Sequence, residues 1–201
     1  MSVVLGLIGN SKVTRKLLKC LYTKTERSKA KAVNFGIIYG ISAWGLANDL
    51  GIYPSDAKSF IDEYHKSFPK ILPFTDSLVE EAKNNGFVKT EFNRRRYIRD
   101  INSPVYNLRE FAKRTAMNAP IQGTAADILK LSMVNLEKEI KKNNLHSELI
   151  LTIHDEVVLN VPIKELDKTI ELTKNVMMNV VSLRVPLLVE CGYGKTLYEA
   201  K

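Results

Sequence analysis

Cysteine is nearly missing from this chain, with Cys20 and Cys191 the only two in 201 residues. Two are too few for a disulfide framework or a thiolate zinc site, and three scattered histidines give no zinc-ligand spacing, so a reducing compartment is expected. Long apolar runs are missing as well. The stretch Val3 to Ile8 is far too short to cross a bilayer and has neither a basic segment before it nor a small-residue cleavage site behind it. No membrane segment is expected. Acid is scarce near the start: between residues 10 and 31 Glu26 stands alone among Lys, Arg, Ser and Thr, a transit-peptide-like composition. That stretch runs straight into the basic and aromatic stripe described below, so a wholly removable presequence is not expected. No repeat or low-complexity tract occurs.

What is present is a core and a basic excess. At 45% apolar residues, the chain can pack one large domain or two small ones. Thirty Lys and Arg against 22 Asp and Glu leave a formal charge of +8. Clustered cations gain by displacing counterions condensed on nucleic acid, so a polyanionic partner is favoured; this is supporting only, because many basic proteins bind no nucleic acid specifically.

Periodicity predicts an α+β chain, mainly helical first and strand-bearing later. A helix is expected from about Lys29 to Leu50, stopped by Gly51 and Pro54; a second from a Ser55-Asp56 cap to Ser67; and a third, preceded by Pro73, reaching Lys83. Residues Gly86 to Ile98 read as a hairpin turning near Asn93, with Arg94, Arg95 and Arg96 at its tip. The arginines fit either a solvated surface or a phosphate contact. Leu108 to Asn118 is expected to be helical, Pro120 to interrupt, and a further helix to run from Thr124 to Lys141. A division is expected near Pro104. Beyond it come two strands flanking His154-Asp155-Glu156, a helix from Ile163 to about Val181, and a last strand, PLLVECG.

Arg27, Lys31, Phe35 and Tyr39 recur every four residues, which on a helix sets two cations and then two rings on one face. Such a stripe suits a nucleoside triphosphate, the cations and the positive helix end drawing the phosphates while the rings address sugar and base. The competing reading is an amphipathic helix whose basic stems snorkel beside a buried Phe and Tyr. At the join of two apolar strands, His154-Asp155-Glu156 brings none of the usual turn residues. A strand-borne carboxylate at a hairpin is one way to hold Mg²⁺ for phosphoryl transfer, and a merely polar turn is the other reading. Arg114, Asn118 and Gln122 also recur every four residues. Donors of this kind suit minor-groove acceptors common to every correct base pair, while a polar helix surface with Gln122 capping the next turn is the plain alternative.

Taken together, these motifs closely resemble those of A-family DNA polymerases, the bacterial polymerase I type. The family's fingers motif Arg-x3-Lys-x3-Phe-Gly-x2-Tyr-Gly is matched by Arg27, Lys31, Phe35, Gly36, Tyr39 and Gly40; its RxxxNAPxQGTAAD appears as RTAMNAPIQGTAAD; and its His-Asp-Glu lies between strands as here. The resemblance implies that Arg27 and Lys31 hold the triphosphate of the incoming dNTP, Phe35 packs on its sugar, and Tyr39 guards the insertion site. It further implies DNA contacts at Gly40, Arg114, Asn118, Gln122 and His154, Asp155 as the metal-binding catalytic carboxylate, and Glu156 assisting. The implied activity is template-directed nucleotidyl transfer on primer-template DNA with two Mg²⁺ ions. The implied architecture is an N-terminal segment unlike the family at 1–22, fingers at 23–104 and a C-terminal palm portion, with antiparallel sheet and packed helices, at 105–201.

This chain departs from the pattern upstream. The family's Asp-Tyr-Ser-x-x-Glu motif, which supplies the second metal aspartate, is not found, and the only strand-like run there, SVVLGLIG, contains no acid. The thumb and any proofreading domain are missing too. A polymerase fragment whose remaining palm and thumb lie upstream is therefore expected, with a noncatalytic nucleic-acid-binding remnant as the alternative. An intracellular setting follows, with bacterial cytoplasm and a DNA-containing organelle equally open. Gly194-Lys195-Thr196 is not a phosphate-binding loop, since the glycine required five residues upstream of Gly194 is Val189 and no helix has room to follow.

Overall fold

The computed structural model describes residues 33–200 together with the backbone of a strand at residues 2–8. In chain order the elements are β1 (Ser2–Ile8), α1 (Ala43–Leu50), α2 (Pro54–Ser67), α3 (Ile71–Asn85), β2 (Phe87–Lys89), β3 (Arg95–Tyr97), α4 (Tyr106–Lys142), β4 (Glu148–Ile153), β5 (Glu156–Asn160), a 3₁₀ turn at Ile163–Glu165, α5 (Leu166–Met178) and β6 (Leu188–Gly194). The architecture is α+β. Two compact units divide it, residues 18–124 in one and residues 1–17 with 125–201 in the other.

In the first of these, a helical run at residues 33–38 ends in a turn instead of continuing to Leu50. Gly40 has φ +74°, its N–H donates to the Ile37 carbonyl at 3.0 Å, and the Ile41 N–H donates to the Gly36 carbonyl at 2.8 Å. This paired closure is a Schellman motif, which needs a left-handed residue that glycine supplies without steric cost. Ser42 then starts α1 afresh, its hydroxyl accepting from the Gly45 N–H at 3.1 Å. The single helix expected from Lys29 to Leu50 is thus corrected to two helical pieces, with Lys29 to Ala32 outside the described residues. Helix α2 begins at Pro54, a residue suited to a first turn because its missing N–H would have no partner there, rather than at a Ser55 cap. Likewise Pro73 lies inside the first turn of α3. The unit's buried side chains include Val79 and Ala82 of α3, Val88 of β2, Ile98, Ile101, and Ala112 and Ala116 of α4.

The expected break at Pro120 does not occur. Helix α4 runs unbroken from Tyr106 to Lys142 with Pro120 inside it. An interior proline forfeits one backbone hydrogen bond and crowds the preceding turn, at a cost of about 3 kcal/mol or more. Burial offsets it: Ala112, Ala116 and Pro120, one per turn, all face inward, and tertiary packing rather than local propensity decides whether a helix persists.

The second unit is built on a four-stranded antiparallel sheet in the order β4-β5-β1-β6. Val157 and Leu159 of β5 face a core with Leu136 and Ile140 of α4, Met177 of α5 and Val189 of β6. The intervening Val158 packs on Leu197 and Ala200 instead, so β5 is buried on both faces. The chain end lies so close to β6 that a Cβ on Gly192 would meet the Ala200 carbonyl oxygen at 2.0 Å. The Gly-x-Gly-Lys tail is therefore a seat for residues 196–200 and not a phosphate loop. At the mouth of the sheet Glu165 accepts hydrogen bonds from the His146 and Ser147 side chains at 2.9 and 3.1 Å and from the His146 backbone N–H at 2.8 Å. His146 above all, helped by Ser147, holds the Glu165 carboxyl below its ordinary range.

Candidate active-site residues and nucleic-acid interface

Phe35 and Tyr39 lie one turn apart at the end of the 33–38 helical run, and their rings stack at 6.0 Å between centroids with 25° between planes. Tyr39 sits in the turn, yet its N–H still donates to the Phe35 carbonyl at 3.0 Å, which carries the helical spacing one residue further. Phe35 is 45% exposed, an open apolar ring rather than a buried one. Arg27 and Lys31 lie outside the described residues.

The turn that ends this helix is fitted closely to α4. A Cβ added to Gly40 would stand 2.4 Å from the Met117 methyl and 3.8 Å from Arg114 Cγ. Residues 74 positions apart in sequence, Gly40 and Arg114, are thereby brought together, and both line an open cleft of about 380 Å³ with Asp76, Val79, Lys83 and Met117. Lys83 in that cleft is paired with Glu80 on its own helix at 2.6 Å. Because α4 does not break at Pro120, Arg114, Asn118 and Gln122 share one continuous helix and one face, spanning roughly 12 Å at 1.5 Å per residue. Arg114 and Gln122 are exposed; Asn118 is half-buried, with its Oδ1 enclosed and no hydrogen-bond partner for it among the described residues.

A feature the sequence reading missed is the docking of the arginine hairpin onto the same helix. The Glu91 N–H donates to Thr124 Oγ1 at 3.1 Å, and Arg94 Nη2 donates to the Gly123 carbonyl at 3.0 Å. Gly123 is required by close approach, since a Cβ there would meet Thr90 Cγ2 at 2.6 Å. The signal was the Gly-Thr pair directly after Gln122 in the motif. Of the three tip arginines, Arg94 is thus spent on structure. Arg95 lies over the Phe87 ring at 4.7 Å, while Arg95, Arg96 and Tyr97 all stay exposed.

In the sheet-bearing unit, His154 and Asp155 form the two-residue turn between β4 and β5, with Ile153 paired to Glu156 at its base. His154 has φ +55°, and Asp155 is not among the residues with positive φ. A positive φ at the first central position alone is the type II′ pattern, where glycine is the usual occupant. A histidine held there stores about 1–3 kcal/mol of backbone strain, and such strain concentrates at functional sites. His154 and Asp155 are exposed, whereas Glu156 is half-buried. As for metal, no group of three His, Cys, Asp or Glu placed to hold an ion occurs among the described residues, so the donors present do not make a complete site. Cys191 offers no substitute, its thiol pushed up to about 11 by burial. Among the described residues no helix is long and apolar enough to cross a membrane.

Comparison with known proteins is concordant. Residues 11–199 match the model of DNA polymerase family A, a match that begins inside the 1–22 segment expected to be unlike the family. The chain is 50% identical to DNA polymerase I of Lactococcus lactis over 179 residues, 89% of this chain and 20% of that protein. It is 48% identical to DNA polymerase I of Geobacillus stearothermophilus, again over 89% of this chain and 20% of the relative. Among solved structures, the POL domain of Pol1 from M. smegmatis in complex with DNA primer-template and dNTP matches with a TM-score of 0.90 and 30% identity, over all of this chain and 40% of that one. The chain spans about a fifth of the length of the curated relatives it matches.

Proposed function

Because the chain belongs to DNA polymerase family A, we propose that it supplies the fingers and the C-terminal palm portion of a DNA-directed DNA polymerase, divided near Pro104. The incoming dNTP is held by Arg27 and Lys31 at its phosphates and by Phe35 at its sugar, with Tyr39 beside the insertion site. Arg114, Asn118 and Gln122 read minor-groove acceptors of the new base pairs, Gly40 lets the template pass close to backbone, and His154 lies against the primer end. Asp155 is the catalytic carboxylate, assisted by Glu156.

One observation carries the reading. The stacked Phe35–Tyr39 pair ends at a left-handed Gly40 fitted against Arg114, so the nucleotide stripe and the duplex reader, read separately from sequence, meet in one compact unit. A buried amphipathic helix would have hidden Phe35, which is open instead. Arg114 and Gln122 are exposed on that face, where their donors can reach minor-groove acceptors, which supports the duplex reader.

Family A polymerases use divalent metal ions, and a complete site is not formed by the described residues here. The alternative of a nucleic-acid-binding remnant draws on the same fact. The test is binding: Lys31→Ala should weaken dNTP binding by tenfold or more (about 1.4 kcal/mol) while leaving the unphosphorylated nucleoside unchanged. Equal loss for both would make the stripe structural.

A further inference from the structure

The β2–β3 hairpin keeps one face in the core and turns the other to solvent. Val88 points inward and packs with Ile98, Ala112 and Ala116. Side chains alternate along a strand, so Phe87 and Lys89 point the other way, and the register sets Tyr97 opposite Phe87 and Arg95 opposite Lys89. Two rings at the base and two cations toward the tip thus share one outer patch. Tyr97 is 64% exposed, its ring edge-on to Phe87 at 5.7 Å between centroids and 68° between planes. Arg95 lies over the Phe87 ring at 4.7 Å, and Lys89 Nζ stands 5.8 Å from the same ring. Neither cation is salt-bridged among the described residues. Between residues 87 and 99 five Lys and Arg stand against one acid, Glu91, so charge is left over for a polyanion.

The patch is held in place at both ends. At its base the Ile98 N–H donates to the Gly86 carbonyl at 2.9 Å; near its tip the Thr90 N–H donates to the Arg94 carbonyl at 3.0 Å, and the tip itself is bonded to Gly123 and Thr124 of α4. A platform already ordered loses little entropy on binding. Rings interleaved with cations suit a single strand, whose bases offer flat π-faces for stacking and whose phosphates take the charge. A duplex offers the charge but keeps its base faces in its own stack. We infer that this face is a stacking site for unpaired DNA, one base lying on Tyr97 or on the outer side of the Arg95 guanidinium, with Lys89 at a phosphate. The patch spans about 5 Å across the strands and about 7 Å along them, room for one or two bases. It is a different surface from the Arg114, Asn118 and Gln122 row, yet the hairpin is bonded to Gly123, the residue directly after Gln122, so single strand and duplex are held by one piece. The choice of DNA rests on the polymerase reading.

Fluorescence anisotropy of the full 201-residue chain with a labelled oligothymidylate, an abasic strand of the same length and a blunt duplex tests it. Tyr97→Ala should weaken oligothymidylate binding about tenfold, the size of one lost base–ring stack, and leave the abasic strand and the duplex unchanged; Tyr97→Phe should bind as the unmodified chain does. Lys89→Ala should weaken oligothymidylate and abasic strand alike and lower the slope of log affinity against log salt by about 0.7. Tyr97→Leu, which keeps an apolar contact with Phe87 but has no ring, should show the same loss as Tyr97→Ala and decides the matter if circular dichroism shows the alanine variant unfolded. Undiminished oligothymidylate binding by these variants, or an equal loss on the abasic strand, overturns the stacking site, and tighter binding of oligouridylate overturns its assignment to DNA. Measuring dNTP binding by the same proteins separates the two readings. Persisting Lys31-dependent dNTP binding beside an indifferent Tyr97 sinks only the stacking site, whereas Tyr97-dependent oligothymidylate binding without specific dNTP binding sinks the polymerase reading itself.

Discussion

Histidine 154 stands in a backbone conformation that favours glycine, at the tip of a hairpin that would be more stable without it. Replacing it by glycine relieves about 1–3 kcal/mol of strain and adds back about 0.4–1 kcal/mol of unfolded-state entropy. His154→Gly should therefore raise stability by about 1 kcal/mol, seen as a higher urea midpoint at unchanged slope. A lower midpoint would mean that His154 has a structural contact outweighing its strain. Glu165 gives the pH counterpart. Its carboxyl titrates below the ordinary glutamate range in the folded chain because His146 and Ser147 bond to it, so its contribution is present above the ordinary range and is lost as pH falls through the lowered value. The Tm difference between the unmodified chain and Glu165→Gln should thus be largest near neutrality and shrink in acid. A difference that grows in acid contradicts this sign.

At the scale of elements, the hairpin and α4 act as one piece. Gly123→Ala drives a methyl into Thr90 and should cost about 1–3 kcal/mol, with faster hydrogen exchange at the Glu91 amide as the hairpin lifts from Thr124. Unchanged exchange would show that the hairpin adjusts without leaving the helix. Much of this layer was legible: α2, α3, the Asn93 hairpin and the strands flanking His154-Asp155 lie where periodicity and turn residues put them, because each is specified by its own few residues. Two elements were not. The helix through Pro120 is held by burial of Ala112, Ala116 and Pro120 against partners distant in sequence. Conversely, the break at Gly40 depends on the Schellman closure and on room beside Met117, neither visible in a four-residue periodicity. The site divided the same way. Residue types and spacing pointed to Phe35, Arg114 and Asp155, whereas the meeting of Gly40 with Arg114, the docking at Gly123 and the strand beside Asp155 are tertiary facts.

On the scale of the whole molecule, the formal charge of +8 bears on the proposed function. The charge favours DNA binding whose affinity falls steeply with salt, since each phosphate neutralised contributes a slope of about −0.9 in log affinity against log salt. On the proposed reading the described residues do not form a complete metal site, and losing the positioning of primer hydroxyl and triphosphate costs several orders of magnitude in rate. The isolated chain is therefore expected to hold primer-template weakly and to leave it unextended. The most direct measurement is primer extension by this chain joined to an upstream palm strand bearing an aspartate and to a thumb. The account predicts Mg²⁺-dependent, templated extension that Asp155→Ala abolishes, with none from the chain alone. Robust extension by the isolated 201 residues, or an extended chain indifferent to Asp155→Ala, would contradict it.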